Sequence, residues 1–508
     1  MNITNYRHTV FITLILSYFV SLSSHANVNT PNIDNTKPLP VLESMNQLGE
    51  LKATMPVMER FVSANGVPVL LTRTHELPMV DVSISFVAGS AYDTQIRADG
   101  FGIANMVATM LTQGTDTLTE DEFVFASEQL GISLDSNATR DSLSVGLRSL
   151  SDKVTLDKAV ALMASTLSTP AFDNDVLTRN KNRLALSLQQ SEQRPNYLAN
   201  VAFAKAAFGN HPYAHPITGT KDSVANISQA DLQAFKDRFL VARNAIITIT
   251  GDVDTSTATQ IANTLSTALA QGTPAPNLPT PAKPAPTRIH INHPSPQTSI
   301  IIGHLSEPRA TNQQAMQSAT NFMLANDVLA GGEFSARLMN EIRVKQGYTY
   351  GIYGSTSRLK NAGLYTISFS ANNDVATAAI NDSLKVIQDT LDNGISQSEL
   401  TLAKDNASNS EPMRFASNAS IHGVANMMNF FALPDSYLTD STARIHKTSL
   451  DSVNDTLRQS IYPNDFIIIT VGGETANKDT GNTADKTASN TTSKDTDKDT
   501  GKPTADNP

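Results

Sequence analysis

The stretch "GFGIANMVATMLTQGT", Gly100 to Thr115, has the outline of a helix with two faces. Phe101, Ala104, Val107 and Leu111 recur at helical spacing and predict one apolar stripe for a core. Gly100 and Gly102 lead in, and Gly114 marks the exit. Asn105, Ala108, Thr109 and Thr112 fall on an adjacent face. None of those four carries a charge or an imidazole, so the purpose of that face has to come from the rest of the chain.

Upstream, Val80, Val82, Ile84 and Phe86 alternate as in a half-buried strand, and downstream Leu143, Val145 and Leu147 do so again. Helical patterns follow from Asp157 to Leu167 and from Asp175 to Gln190, and a β-rich run, "NAIITITGDVD", closes the block. A second block repeats the plan. "QTSIIIGH" is its early strand, and Tyr365, Ile367 and Phe369 form the later alternating one. Helices are predicted from Asp374 to Leu391 and from Ser396 onwards, and "NDFIIITVGG" closes it. The matching order argues for an internal duplication. Strands and helices mix without regular βαβ alternation, which predicts an α+β fold with largely antiparallel sheets.

Between the blocks, "QGTPAPNLPTPAKPAP" carries prolines from Pro274 to Pro286 and predicts an extended, semi-rigid linker. The expected organisation is a signal peptide over 1–26, an N-terminal extension over 27–55, domain 1 over 56–270, the linker over 271–287, domain 2 over 288–473 and a tail over 474–508. The tail is Thr-, Lys-, Asp- and Asn-rich, with too little apolar surface to offset the entropy of ordering it, and is expected to be disordered. At the start, Arg7 and His8 precede an apolar run from Val10 to Val20, and Ser24-His25-Ala26 offers a small-x-small cleavage site. That run is shorter than the roughly 20 residues a bilayer span needs. Left uncut, it would serve as an anchor. The expectation is an exported protein, in a bacterial periplasm, with no stable membrane insertion.

At 508 residues, 40% hydrophobic and 17% charged, the chain can bury full cores in two to four domains. Its net charge of −10 argues against a nucleic-acid partner. There is no cysteine, which excludes disulfides, thiolate nucleophiles and Cys-based metal sites.

Four motifs then stand in order: "VAGSAYD" (Val87 to Asp93), the opening stretch, "HPYAHPITGT" (His211 to Thr220) and "LAGGEFSARLMNEIRVKQGYTYGIY" (Leu329 to Tyr353). No one of them is specific alone. Together, on a duplicated α+β chain from about residue 56 to 473, they resemble the pitrilysin/insulinase-type (M16) zinc peptidases. The likeness is to the short two-domain members that pair into four-domain clamshells. Active members carry His-x-x-Glu-His on the opening helix, where two His bind zinc and the Glu activates water. Aligned on Gly114-Thr115, that motif falls on Asn105, Ala108 and Thr109. The family's third ligand, a Glu eight residues before a loop proline, falls on Ser187 when counted back from Pro195. Zinc sites use thiolate, imidazole or carboxylate, and an amide with two hydroxyls supplies none of these. Ala108 cannot be a general base.

No other His pair replaces the site. His211 and His215 are four apart, but Pro212 and Pro216 break a helix through them, and hydrogen-bonded loop histidines are the plainer reading. His290 and His293 flank an extended run and would point to opposite faces. The three carboxylates of "TLTEDEF" are explained by a helix start, with Thr119 and Glu122 as a capping box and Asp121 favouring the helix N-terminus.

The second block keeps what the first has lost. The resemblance implies that an Arg near a helix end and a Tyr seven residues later, on the following strand, contact the substrate main chain. Arg343 and Tyr350 match that spacing. Gly347 lets the chain turn between them, and "AGGEFS" resembles the family's Gly-rich loop beside the substrate cleft. Two plainer readings stay open: Arg343 as a complement to the helix dipole, and Tyr350 as core. Tyr348 is a rival on the same strand face.

The resemblance therefore implies a catalytically silent subunit of a heterodimeric peptidase. This chain would bind no cofactor, and a partner M16 subunit would carry the zinc. Arg343, Tyr350 and half of a chamber for peptides or unfolded segments would come from here. The alternative is a stand-alone peptide-binding or scaffold protein of the same fold, with a self-paired homodimer behind it.

Overall fold

The computed structural model describes residues 57–473, so the expectations for 1–55 and 474–508 fall outside the described residues. The first half contributes β1 (Met58–Val62), β2 (Pro68–Arg73), β3 (Met79–Phe86), β4 (Ser133–Ala138), β5 (Leu143–Leu150) and β6 (Ala245–Gly251). They form a six-stranded sheet in the order β1-β2-β6-β3-β5-β4. The second half contributes β7 (Thr287–Asn292), β8 (Gln297–Ser306), β9 (Ile352–Arg358), β10 (Gly363–Asn372) and β11 (Ile467–Gly472). Their order is β7-β11-β8-β10-β9. With β1 set aside, the two orders are the same permutation of five strands, which is the duplication written in topology. Only β2/β6 and β7/β11 run parallel, and every other pairing is antiparallel. The fold is α+β, with mixed but mainly antiparallel sheets.

Helix limits follow the capping residues rather than the apolar stripe. Asp152 caps Lys153–Ser168 through Thr155 N, and Asp173 caps Asn174–Ser191. Both helices therefore begin ahead of the expected Asp157 and Asp175. Ser396 and Glu399 close a capping box on Gln397–Ser410, and Thr119 with Glu122 closes another on Glu120–Leu130. Each such cap supplies partners to backbone N–H groups that a helix start otherwise leaves unmet. Ala376–Asn393 has no side-chain cap and starts two residues later than the expected Asp374. Among the described residues, no helix is long and apolar enough to cross a membrane.

One face of each sheet packs on its own half's helices, Val82, Ile84 and Val145 in the first core and Ile300, Ile302 and Ile367 in the second. The other face is roofed by a helix from the opposite half. Pro195–Phe208 lays Ala199, Phe203 and Ala207, spaced by four, on Ile301, Ile467 and Ile469 of the second sheet. In return, Asn418–Phe430 lies on the first sheet through polar groups. His422 meets Ser83 Oγ (2.6 Å) and Thr250 Oγ1 (3.1 Å), and the Ser85 and Thr248 hydroxyls both donate to Asn426 Oδ1 at 3.2 Å. Asn429 Nδ2 donates to the carbonyl of Ile247 at 2.8 Å.

That roof corrects the reading of β3 as half-buried. Asp81, Ser83 and Ser85 alternate with the apolar residues, yet they are buried too. Asp81 pairs with Arg148 on the neighbouring strand, but Ser83 and Ser85 find their partners on a helix more than 330 positions away in sequence, which no local pattern can announce.

The proline-rich segment is extended and is held at several points. Arg238 donates to the carbonyls of Thr273 and Pro274, His211 Nε2 meets the Pro279 carbonyl at 2.8 Å, and Asn361 Nδ2 donates to Leu278 O at 2.6 Å. Leu278 itself is buried in the first core.

Candidate functional site

The opening helix is Ile103–Leu111, and its N-terminus is built by two earlier features. Gly102 caps it at φ +95°, a left-handed conformation that suits glycine. A Cβ there would also lie 2.8 Å from the Thr218 carbonyl oxygen. Asp93, the last residue of "VAGSAYD", is buried and accepts from Gly102 N and Ala104 N, each at 2.8 Å. Burial pushes its carboxyl up to about 7, while those N–H groups pull the other way. The motif therefore anchors the start of the helix. Sequence reading did not assign Asp93 that role, although an Asp ahead of a Gly-led helix is a fair signal for it.

The second face expected of Asn105, Ala108, Thr109 and Thr112 is not one exposed polar face. Ala108 is 3% exposed and belongs to the core with Ile103, Met106 and Met110, which corrects the two-faced picture. Asn105 is partly buried, and Thr109 is exposed, its hydroxyl donating to Asn105 O at 2.9 Å. Ser187 is exposed near the end of Asn174–Ser191. That helix touches the opening one where Asn180 Nδ2 meets Met110 Sδ at 3.4 Å. Ser187 follows Asn180 by seven residues and so lies on the same side of the helix, two turns on. Zinc does not fit this set, because its donors are an amide and two hydroxyls, one of them already bonded within its helix. Among the described residues no three His, Asp or Glu side chains cluster closely enough to hold a metal ion.

His211 and His215 are loop residues. His211 Nδ1 accepts from Tyr213 N at 3.1 Å, and the His215 ring stacks on Phe101 with centroids 3.6 Å apart. His290 sits on β7 against Thr470 Oγ1 at 2.9 Å, and His293 lies beyond the strand end.

Arg343 sits in a wide, π-type helical turn, Met339–Lys345, a geometry that recurs at functional sites. Its guanidinium lies over the Phe334 ring, 4.4 Å from the centroid. Phe334 belongs to "AGGEFS", so the Gly-rich loop packs on the arginine. Gly347 takes φ +66° after the turn. Tyr350 is not on the strand, as expected, but in the bend before β9, and it is 87% exposed. The core reading of Tyr350 is thereby excluded. Tyr348 is the one packed against the second core, and it does not share a strand face with Tyr350.

Tyr350 lines an open groove of about 620 Å³ on the outer face of the second sheet, where the Pro195–Phe208 helix leaves β9 and β10 uncovered. Tyr353, Ser355, Thr366 and Ser368 share its wall with Asn196 and Asn200, and no charged side chain lines it. Arg343 lies outside that lining, and no hydrogen bond joins it to Tyr350.

Two family models match. Residues 68–221 fit "Insulinase (Peptidase family M16)" and residues 226–407 fit "Peptidase M16 inactive domain". A crystal structure of a peptidase M16 inactive domain from Pseudomonas fluorescens is 31% identical and superposes with TM-score 0.78, over 83% of this chain and 99% of that one. This chain belongs to the M16 family. The non-peptidase homolog YmxG of Helicobacter pylori is 24% identical over 414 residues, 81% of this chain and 93% of that protein. A chain of complex III2 from Candida albicans shares the fold at 18% identity and TM-score 0.67, over 82% of this chain and 95% of that chain.

As an M16 chain, it is an inactive homologue, and the side chains give the chemical reason. Ala108, where the resemblance expects the general-base carboxylate, is a buried methyl group that can neither accept nor deliver a proton. The start of that helix is nonetheless well built, with Asp93 accepting from Gly102 N and Gly102 capping it.

Proposed function

We propose that this chain is the non-catalytic subunit of a heterodimeric M16 zinc peptidase, exported from the cytoplasm together with its partner. The partner supplies the zinc-bearing helix. This subunit supplies half of the chamber and two donors, Arg343 and Tyr350, to the main chain of a peptide or unfolded segment. The observation that carries the reading is Tyr350 itself: a large aromatic with a free phenol, 87% exposed, at the edge of an uncharged groove. Isolated exposure of a tyrosine is ordinary. Its position beside hydroxyls and amides, one tight turn after an arginine seated on Phe334, suits hydrogen bonding to carbonyl oxygens.

A guanidinium and a phenol strengthen their bonds as a carbonyl oxygen gains negative charge, and one such donor is worth about 2.7–4 kcal/mol of transition-state stabilisation. The test is co-expression with an exported M16 chain that has intact His-x-x-Glu-His. Peptidase activity is expected only in the mixture, and Arg343→Ala is expected to lower kcat by roughly 10²–10³-fold with the heterodimer intact. Activity unchanged by Arg343→Ala, or no zinc-bearing chain co-purifying, would sink the proposal.

A second reading has one observation in its favour, the shared fold with a chain of complex III2, an assembly. In it the chain is a scaffold or peptide-binding protein without a peptidase partner. Peptide binding by the isolated chain, together with failure of every zinc-bearing M16 chain to pair with it, would select that reading.

A further inference from the structure

The second half holds a cavity that the peptide-binding reading does not use. Arg309, Arg358, Arg414 and Arg444 line a half-closed space of about 330 Å³ between the Gln313–Asn326 helix, the end of β9 and the Ser441–Lys447 helix. The one carboxylate on its wall, Glu411, reaches Arg414 at 3.4 Å and accepts from Ser441 Oγ at 3.2 Å. Arg444 is 7% exposed. Its Nη2 donates to the Tyr437 carbonyl at 2.7 Å, but its Nε and Nη1 are buried without an acceptor among the described residues. Arg309 Nε is in the same condition. The Arg309 and Arg444 guanidiniums lie over aromatic rings instead, 5.0 Å from the Phe431 centroid and 5.2 Å from that of Tyr437.

A guanidinium stays charged at any physiological pH. Four of them around one carboxylate repel each other in a partly desolvated space, and buried donors without acceptors add to the cost. An anion seated among them relieves both. Three forks converging on one space suit a group with three or more terminal oxygens, because a carboxylate offers two and is satisfied by one fork. The space continues into a neighbour of about 290 Å³ that shares Arg309, Arg358 and Phe322, carries the exposed carboxylate of Glu307 on its rim near Arg358, and extends to Tyr462. That is the scale of a small-molecule site, with room for an organic body.

We propose that this cavity binds a phosphate-bearing small molecule, its charged end among Arg309, Arg358 and Arg444 and its body toward Tyr462. The test uses the full chain and sodium pyrophosphate, titrated calorimetrically at constant ionic strength, with orthophosphate and citrate as parallel arms. One pyrophosphate per chain is expected to bind with a submillimolar Kd, more tightly than orthophosphate or citrate, and to raise the Tm. Arg309→Gln and Arg358→Gln, both partly exposed and spared the risk of altering buried Arg444, are each expected to weaken binding at least tenfold while keeping the wild-type circular dichroism. Arg343→Ala is expected to bind pyrophosphate as wild type does, which separates this site from the peptide-binding one. No saturable binding, tighter binding of citrate, or wild-type affinity in both Gln variants would overturn the proposal.

Discussion

The hydroxyl of Thr109 donates to the carbonyl oxygen of Asn105, 2.9 Å away and one turn back along the same helix. These are the two positions where the resemblance to active M16 peptidases expects the histidines of a zinc site. Here they bond to each other through the backbone, a local satisfaction that Thr offers and imidazole does not. Ala108, between them, faces the core rather than solvent.

Ala108 therefore makes the loss hard to reverse. Ala108→Glu places a carboxylate at a buried position between Ala104 and Leu111, one turn away on either side, and is expected to lower stability by about 2–4 kcal/mol. Thr109→Val, at an exposed position, is expected to stay within about 0.5 kcal/mol. Denaturant unfolding of the two variants beside wild type checks the contrast, and equal effects would place Ala108 outside the core.

The roof over the first sheet is expected to respond to pH through His422. Burial pushes its imidazole down to about 4, below the usual 6.5. Between those values the unfolded chain takes up a proton that the folded one refuses, so this contribution is present above pH 6.5 and is lost as pH falls toward 4. At about 1.4 kcal/mol per unit, the ceiling is about 3 kcal/mol. His422→Gln removes the titration, so the stability gap between wild type and variant is expected to shrink from pH 7 to pH 4. A gap independent of pH would show that His422 titrates normally in the fold.

Glu399 and Arg337 are expected to steady the loop that carries Phe334. Arg337 Nε and Nη2 reach the two carboxylate oxygens at 2.8 and 2.7 Å and, with the Ser396 backbone, hold the Glu399 carboxyl at about 2. The folded value lies below the unfolded one, so the stabilisation is full above pH 4.5 and vanishes as pH falls through 2. With both side chains partly exposed, Glu399→Gln is expected to cost about 1–2 kcal/mol at pH 7 and little near pH 2. Urea midpoints at the two pH values measure it, and an equal loss at both would reject the ion pair as the cause.

Gly303 is a closely packed point of the second roof. A Cβ there would lie 2.2 Å from the Tyr365 carbonyl oxygen and 2.9 Å from Phe203 Cζ. Gly303→Ala is expected to destabilise by about 2 kcal/mol or more, since strand and helix would both have to shift. A variant melting with wild type would mean that the helix is not closely seated there.

Much of the scaffold was legible in local pattern. Alternation in Tyr365, Ile367 and Phe369 became β10, and the Thr119–Glu122 spacing became a capping box, because each depends on neighbours a few positions away. The duplication was legible as a repeated order, but the exchange of helices was not, since Phe203 finds Gly303 and His422 finds Ser83 only in three dimensions. At the candidate site, that Asn105, Ala108, Thr109 and Ser187 offer neither imidazole nor carboxylate is plain from residue types alone. The placement of Tyr350 in a bend could not, because Gly347 and the wide turn before it shift where β9 begins. The arginine cavity left no sequence trace, its members being scattered from Arg309 to Arg444 with no shared motif.

The crossed roofing has a consequence for how the polypeptide can be divided. Either half made alone would expose a bare strip, Ile301, Ile467 and Ile469 in one case, an array of unmet hydroxyls in the other. Two fragments parted within 271–287 ought instead to find each other and reassemble, each completing its sister. A chain nicked there by a protease should still travel through gel filtration as a single particle.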